Sequence, residues 1–154
     1  MVRLSFKKIM PDNSDKLNSV TDKNKLSERK ELLEKHKGVV FALDDGEGFK
    51  AASVMVFEMN DEILTTALRK MYLADLFAAD GTDSEYKGMM LEYTVNQAAY
   101  MGYDHLTVTV KADNLAELKF YAYHGFDKIV RVNEDEASVV LLRDVNAVMK
   151  CCGK

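Results

Sequence analysis

Asn114-Leu-Ala-Glu-Leu-Lys-Phe-Tyr-Ala-Tyr-His-Gly125-Phe126 lies between a strand-like Leu106-Thr-Val-Thr-Val110 and a second apolar run, Phe126 to Val132. Its two ends decide how the chain is read. Asn114 is a residue type that caps helices, and Glu117, three residues later, is placed to reach back to its amide. Gly125 stands where a helix needs a left-handed residue to stop. The stretch therefore reads as a short helix of about ten residues, pinned at both ends between two strands.

Working outward, Gly88 to Met101 spaces Leu91, Val95, Ala98 and Met101 on one helical face and ends at Gly102, a second left-handed stop. Ala79 to Tyr86 is polar, contains Gly81 and reads as a loop. Ile63 to Phe77 is ambiguous, because Leu64, Leu68 and Met71 also fit helical spacing; its second part, Lys70 to Ala78, is assigned as a strand. Val39 to Leu43 and Phe49 to Met59 read as paired strands around the turn Asp44-Asp45-Gly46-Glu47-Gly48, whose acidic residues do not match the spacing of a calcium loop.

Nearer the start, Arg3 to Met10 suits a strand that Pro11 ends. Asp12 to Ser14 offer caps for a helix carrying Leu17 and Val20. Ser27 is expected to cap a second helix, with Leu32, Leu33 and His36 on one face and Gly38 as its stop. Ala137 to Arg143 closes the series as a strand. The order is strand, two helices, three strands, helix, strand, helix, strand, strand.

The chain of 154 residues is long enough for one domain, expected over 1–148 with a short tail at 149–154. A net charge of −4 with no strongly basic window argues against a nucleic-acid partner. The richest basic stretch, Lys23 to Lys37, is interleaved with Glu28, Glu31 and Glu34; the pair Glu31/Lys35 suggests a solvated helix face. No apolar run has the length of a membrane span, and the N-terminus lacks a signal-peptide core. Cys151 and Cys152 are adjacent in the tail and read as reduced thiols of a cytoplasmic protein. His36, His105 and His124 form no metal-ligand pair, so no metal site is expected. His124 is placed to meet the carbonyls at the helix end.

The Asn114, Phe120-Tyr121 and Gly125-Phe126 pattern after a Val-rich strand resembles the C-terminal part of the GNAT superfamily of acyl-CoA-dependent N-acyltransferases. Glu117 stands where that family usually has a small residue. The element order is similar over nearly the whole chain. The resemblance implies an α/β (α+β) fold, with a mixed, mostly antiparallel sheet carrying helices on both faces. It also implies that the fourth and fifth strands splay and that the donor, acetyl-CoA by default, enters there.

The family's diphosphate loop, Arg/Gln-x-x-Gly-x-Gly/Ala, falls on Asp83-Ser84-Glu85-Tyr86-Lys87-Gly88 when Leu76-Phe77-Ala78 and Leu91 set the register. Only Gly88 is kept. Asp83 and Glu85 add negative charge near a diphosphate, on the order of 1 kcal/mol against binding at a wet surface, and Lys87 offsets part of it. By this resemblance the donor would be held by Leu76, Phe77, Ala78, Lys87, Gly88, Met89, Met90, Asn114 and Tyr121, with the amides of Gly88, Met89 and Met90 facing the anion.

Tyr121 matches the tyrosine that often protonates the departing thiolate in the family; a core aromatic beside Phe120 is the competing reading. Asp75, on the proposed fourth strand, is the candidate base for the acceptor's ammonium, with Glu58 behind it. An aspartate merely facing an edge or loop is the bland alternative for Asp75. The acceptor is an amine of a small molecule or a protein. A domain that keeps the fold without turnover, as a binding or regulatory module, is the alternative function. Met89, Met90 and Met101 either fill gaps or line a plastic pocket. The apolar Ala137-Ser-Val-Val-Leu-Leu142 run is a core strand or the shared edge of a homodimer.

Overall fold

The computed structural model describes residues 4–12, 23–57, 70–79 and 85–145. The elements are β1 (Ser5–Ile9), α1 (Lys23–Glu34), β2 (Gly38–Asp44), β3 (Phe49–Phe57), β4 (Lys70–Ala78), α2 (Glu85–Tyr100), β5 (His105–Lys111), α3 (Leu115–Tyr123), β6 (Lys128–Asn133) and β7 (Ser138–Asp144). The strands form a mixed seven-stranded sheet in the order β1-β2-β3-β4-β5-β7-β6. Among the described residues the registered pairs are antiparallel except β4 with β5, which is parallel. The ambiguous window resolves as read, with β4 over Lys70–Ala78. The proposed helix around Leu17 and Val20 lies outside the described residues, as do Glu58, Met59, Asp83, Ser84, Cys151 and Cys152.

Two compact units are present: Met1–Val56 with Ala74–Thr94, and Phe57–Leu73 with Val95–Lys154. In the first, β1, β2 and β3 form an antiparallel ladder, β2 and β3 joined by a hairpin, that places Ile9 beside Val40, Val40 beside Val54 and Ala42 beside Ala52. These residues form a buried cluster with Leu33, and Leu32 and Phe77 pack against it, so α1 covers this face. On the opposite face Phe41 and Ser53 are register partners. Tyr93 of α2 stacks on Phe6 at 4.2 Å and meets Phe41 edge-on at 5.4 Å, while Thr94 hydrogen-bonds Ser53 at 2.6 Å. Helices thus cover both faces, which is why β2 reads as an unbroken apolar run rather than an alternating one.

In the second unit β7 lies between β5 and β6, with every residue from Ser138 to Asp144 paired to β5. Val140, Leu141 and Leu142 are buried. This places the Ala137–Leu142 run inside the sheet and removes it as a shared dimer edge. Ala137 itself is in the turn, with φ 50°, so the strand begins one residue later than its apolar pattern suggests.

The three described helices end alike. In each, a residue with positive φ follows the cap, and two reversed bonds close the last turn. For α2 these are Gly102 N–H to Ala99 and Tyr103 N–H to Ala98, both 3.0 Å. For α3 they are Gly125 N–H to Ala122 at 3.1 Å and Phe126 N–H to Tyr121 at 2.9 Å. Gly102 and Gly125 have φ 86° and 88°, as their expected roles require.

In α1 the corresponding residue is His36, φ 55°, with His36 N–H to Leu33 at 3.2 Å and Lys37 N–H to Leu32 at 3.1 Å. Gly38 is therefore not the stop. It is the first residue of β2, and a Cβ there would stand 2.2 Å from the Met55 carbonyl oxygen. Its smallness serves strand approach, not helix termination. Ser27 is likewise not a cap, because α1 already begins at Lys23.

Candidate functional site

The residues nominated by sequence divide between the two units. Asp75, Leu76, Phe77, Ala78, Lys87, Gly88, Met89 and Met90 belong to the first, and Asn114 and Tyr121 to the second.

In the second unit the opening motif forms the short helix as read. Asn114 caps α3, its side-chain oxygen accepting from Glu117 N–H at 3.1 Å. The Asn114 amide donates to the Lys111 carbonyl at 3.1 Å. Tyr121 is buried, 3% exposed, with its ring edge-on to Phe120 at 5.2 Å and to Phe126 at 5.5 Å. The Phe126 contact is the apolar clasp that accompanies this type of helix end. The cation at the helix end is Arg143, whose Nη1 donates to the His124 carbonyl at 2.6 Å. The His124 ring lies beside Phe120 at 4.8 Å and Tyr123 at 5.1 Å.

Also in this unit, β4 and β5 pair in parallel over Lys70↔His105 to Leu73↔Val108. Among the described residues these four pairs make up the ladder, while β4 runs on to Ala78 and β5 to Lys111.

In the first unit α2 begins at Glu85, so Glu85, Tyr86 and Lys87 are helical and not part of the expected loop. A helix leaves the amides of its first turn outside its own ladder, and the first turn here is Glu85 to Gly88. The amides of Met89 and Met90 then fall within the ladder, contrary to the reading that had them face an anion. A glutamate in the first turn favours the helix macrodipole, which is a physical reason for the earlier start. Lys87, Gly88 and Met89 are half-buried, while Met90 is fully buried and fills the core. Leu76 is buried, and Phe77 and Ala78 are half-buried.

Asp75 does not face outward alone. Arg29 of α1, itself buried, donates from Nη2 to the Asp75 carboxylate. The same guanidinium lies over the Phe77 ring, 5.7 Å from its centroid. Asp75 and Phe77 are two residues apart on β4 and share the face that α1 covers. The sequence reading missed Arg29. Its signal was available, since Arg29 precedes Leu32 and Leu33 by three and four residues and so lies on their helix face. The exposed side of α1 is as expected: Lys35 donates to Glu31 at 2.7 Å and holds that carboxyl below its usual range.

Among the described residues no group of three or more His, Cys, Asp and Glu side chains is placed to hold a metal ion, and no helix is long and apolar enough to cross a membrane.

This is the GNAT fold, the fold of the acyl-CoA-dependent N-acyltransferases. Three solved structures illustrate the likeness. A putative GNAT-family acetyltransferase from Desulfovibrio desulfuricans aligns at TM-score 0.69 and 13% identity, covering 93% of this chain and 99% of its own. An N-acetyltransferase from Staphylococcus aureus Mu50 aligns at TM-score 0.67 and 15% identity, covering 94% and 99%. A GNAT-family acetyltransferase from Elizabethkingia anophelis with acetyl-CoA bound aligns at TM-score 0.65 and 12% identity, covering 92% and 97%. No family model and no curated protein matches the chain.

Proposed function

We propose that this GNAT-fold domain is an acyl-CoA-dependent N-acyltransferase that moves an acetyl group from acetyl-CoA to a primary amine of a small molecule or a protein. The observation that carries the reading is the short β4–β5 ladder. It ends at Leu73↔Val108, and β4 then runs on through Ala78 before α2 opens at Glu85. Both strands continue past that last registered pair, and β4 leads to the start of α2, which is what supports placing a donor there. The acyl arm would lie along Leu76, Phe77 and Ala78. The diphosphate would meet first-turn amides of α2, from Glu85 to Gly88, with Lys87 supplying charge.

The chemistry asked of the chain is modest. The acceptor ammonium first gives one proton to Asp75, directly or through a water. The neutral nitrogen then attacks the thioester carbonyl carbon, the C–S bond breaks, and the second proton lost from nitrogen passes to the departing thiolate, leaving an amide and a free thiol.

The test is thermal unfolding with and without acetyl-CoA, followed by thiol release in the presence of primary amines. A ligand bound only by the folded state at one hundred times its Kd stabilises by about 2.7 kcal/mol, an upward shift on the order of 5–10 °C for a chain of this size. No shift at millimolar acetyl-CoA contradicts the reading.

A second reading has its own support. Glu85 and Tyr86 occupy the first turn of α2, where a carboxylate and a bulky ring oppose a diphosphate. A module that keeps the fold without turnover fits them. If Asp83→Arg with Tyr86→Gly creates affinity for CoA that the parent lacks, this second reading stands; acetylation of any amine by the parent removes it.

A further inference from the structure

Arg29 is 7% exposed, and its Nε is buried without a hydrogen-bond acceptor among the described residues. Its surroundings on this face are apolar: Leu33, Val40, Phe49 and Val54 form the buried cluster, and Phe77 packs on it. Stability gives little reason for a guanidinium here. Buried ion pairs are often matched or bettered by apolar side chains of similar volume, and a donor left without an acceptor adds cost. What the arrangement does achieve is geometric. The planar guanidinium is fixed by burial and by the Phe77 ring, and it holds the Asp75 carboxylate, two residues along the same strand.

We propose that Arg29 is the positioning residue for Asp75, aiming that carboxylate at the ammonium of the acceptor amine. The inference rests on the acyltransferase reading and deepens it. An ionised carboxylate has about four lone-pair sites on two oxygens, so it can accept from Arg29 and from other donors at once. Arg29 and Asp75 together are neutral, so the pair contributes direction more than attraction. The acceptor therefore arrives as a cationic primary amine and loses its proton at a carboxylate whose orientation is already set.

The test uses the full chain and four proteins: wild type, Arg29→Lys, Arg29→Met, and Arg29→Met combined with Asp75→Leu. Each is measured for thermal unfolding, for acetyl-CoA affinity by calorimetry, and for kcat/KM with free lysine, spermidine and a tripeptide. Arg29→Met should lower the melting temperature, because it leaves Asp75 without its cation, and should lower amine kcat/KM about tenfold to a hundredfold. Arg29→Lys should recover part of that loss. The double variant should recover the melting temperature and remain as poor in turnover as the worse single change. Acetyl-CoA affinity should stay within about twofold throughout.

A role in stability alone predicts wild-type amine kcat/KM for Arg29→Met when assayed well below its melting temperature; that result overturns the proposal. If the wild type binds acetyl-CoA but acetylates none of the three amines, this inference falls while donor binding stands. If it binds no acetyl-CoA, the acyltransferase reading falls and takes this inference with it.

Discussion

Gly38→Ala separates two explanations of one glycine. If Gly38 ended α1, alanine there would cost only the left-handed backbone penalty. The structure instead has Gly38 outside the positive-φ residues and pressed against β3. An added Cβ stands 2.2 Å from the Met55 carbonyl oxygen and 2.9 Å from Leu32 Cδ2. The Leu32 methyl can rotate away. The carbonyl belongs to the β2–β3 ladder, where Val39 faces Met55, and must move by roughly 1 Å to reach ordinary contact. Overpacking of this kind costs about 1–3 kcal/mol, and a weakened ladder bond adds about 1 kcal/mol. The reduced freedom of the unfolded alanine chain returns about 0.5–1 kcal/mol. The net loss is about 1–3.5 kcal/mol, or roughly 2–14 °C in melting temperature. Urea unfolding followed by circular dichroism measures it as a lower midpoint at unchanged slope. Gly48→Ala is the contrasting change, since Gly48 has φ 150° and nothing within 4 Å of an added Cβ, so alanine there is strained by its backbone alone. An alanine at 38 as stable as wild type would refute the steric argument.

Three further outcomes follow from the same geometry. His36→Gly removes a side chain from a φ of 55° and should raise stability by about 0.5–1 kcal/mol, read as a higher urea midpoint. Thr94 donates to the Met90 carbonyl at 2.7 Å, so its bond with Ser53 at 2.6 Å is donated by Ser53. Thr94→Val should cost about 1–3 kcal/mol by stranding that hydroxyl, and Thr94→Val with Ser53→Ala should recover most of it, as a double-mutant cycle will show. Asp44 accepts from the Gly46 amide at 2.7 Å, chiefly for which its carboxyl lies below the usual aspartate range, with Lys7 at 3.3 Å adding to it. A lowered folded-state value means stability that is present above the ordinary aspartate pKa, about 4, and lost as pH falls through the folded value. The melting-temperature gap between wild type and Asp44→Asn should therefore be full above about pH 5 and close at lower pH.

What could be read from sequence was what local chemistry decides. Asn114 and Gly125 fix α3 within their own turns, and Asp44 to Gly48 fix the hairpin, so both formed as expected. Errors arose where two local signals competed. Gly38 looked like a helix stop because His36, two residues earlier, is an unusual occupant of a left-handed position. Gly88 looked like a helix start because the family loop was laid over Glu85, Tyr86 and Lys87, although a glutamate suits a first turn. Asp75 is a candidate from its strand alone. Its pairing with Arg29 is not legible, because Arg29 lies 46 residues away and only the packing of α1 on β4 joins them.

The most direct measurement is a calorimetric titration of the purified full chain with acetyl-CoA. The account predicts saturable one-to-one binding, weakened when Lys87 is replaced by Glu and restored at least in part when Glu85→Gln is added. A flat titration for the parent chain at millimolar ligand would contradict it.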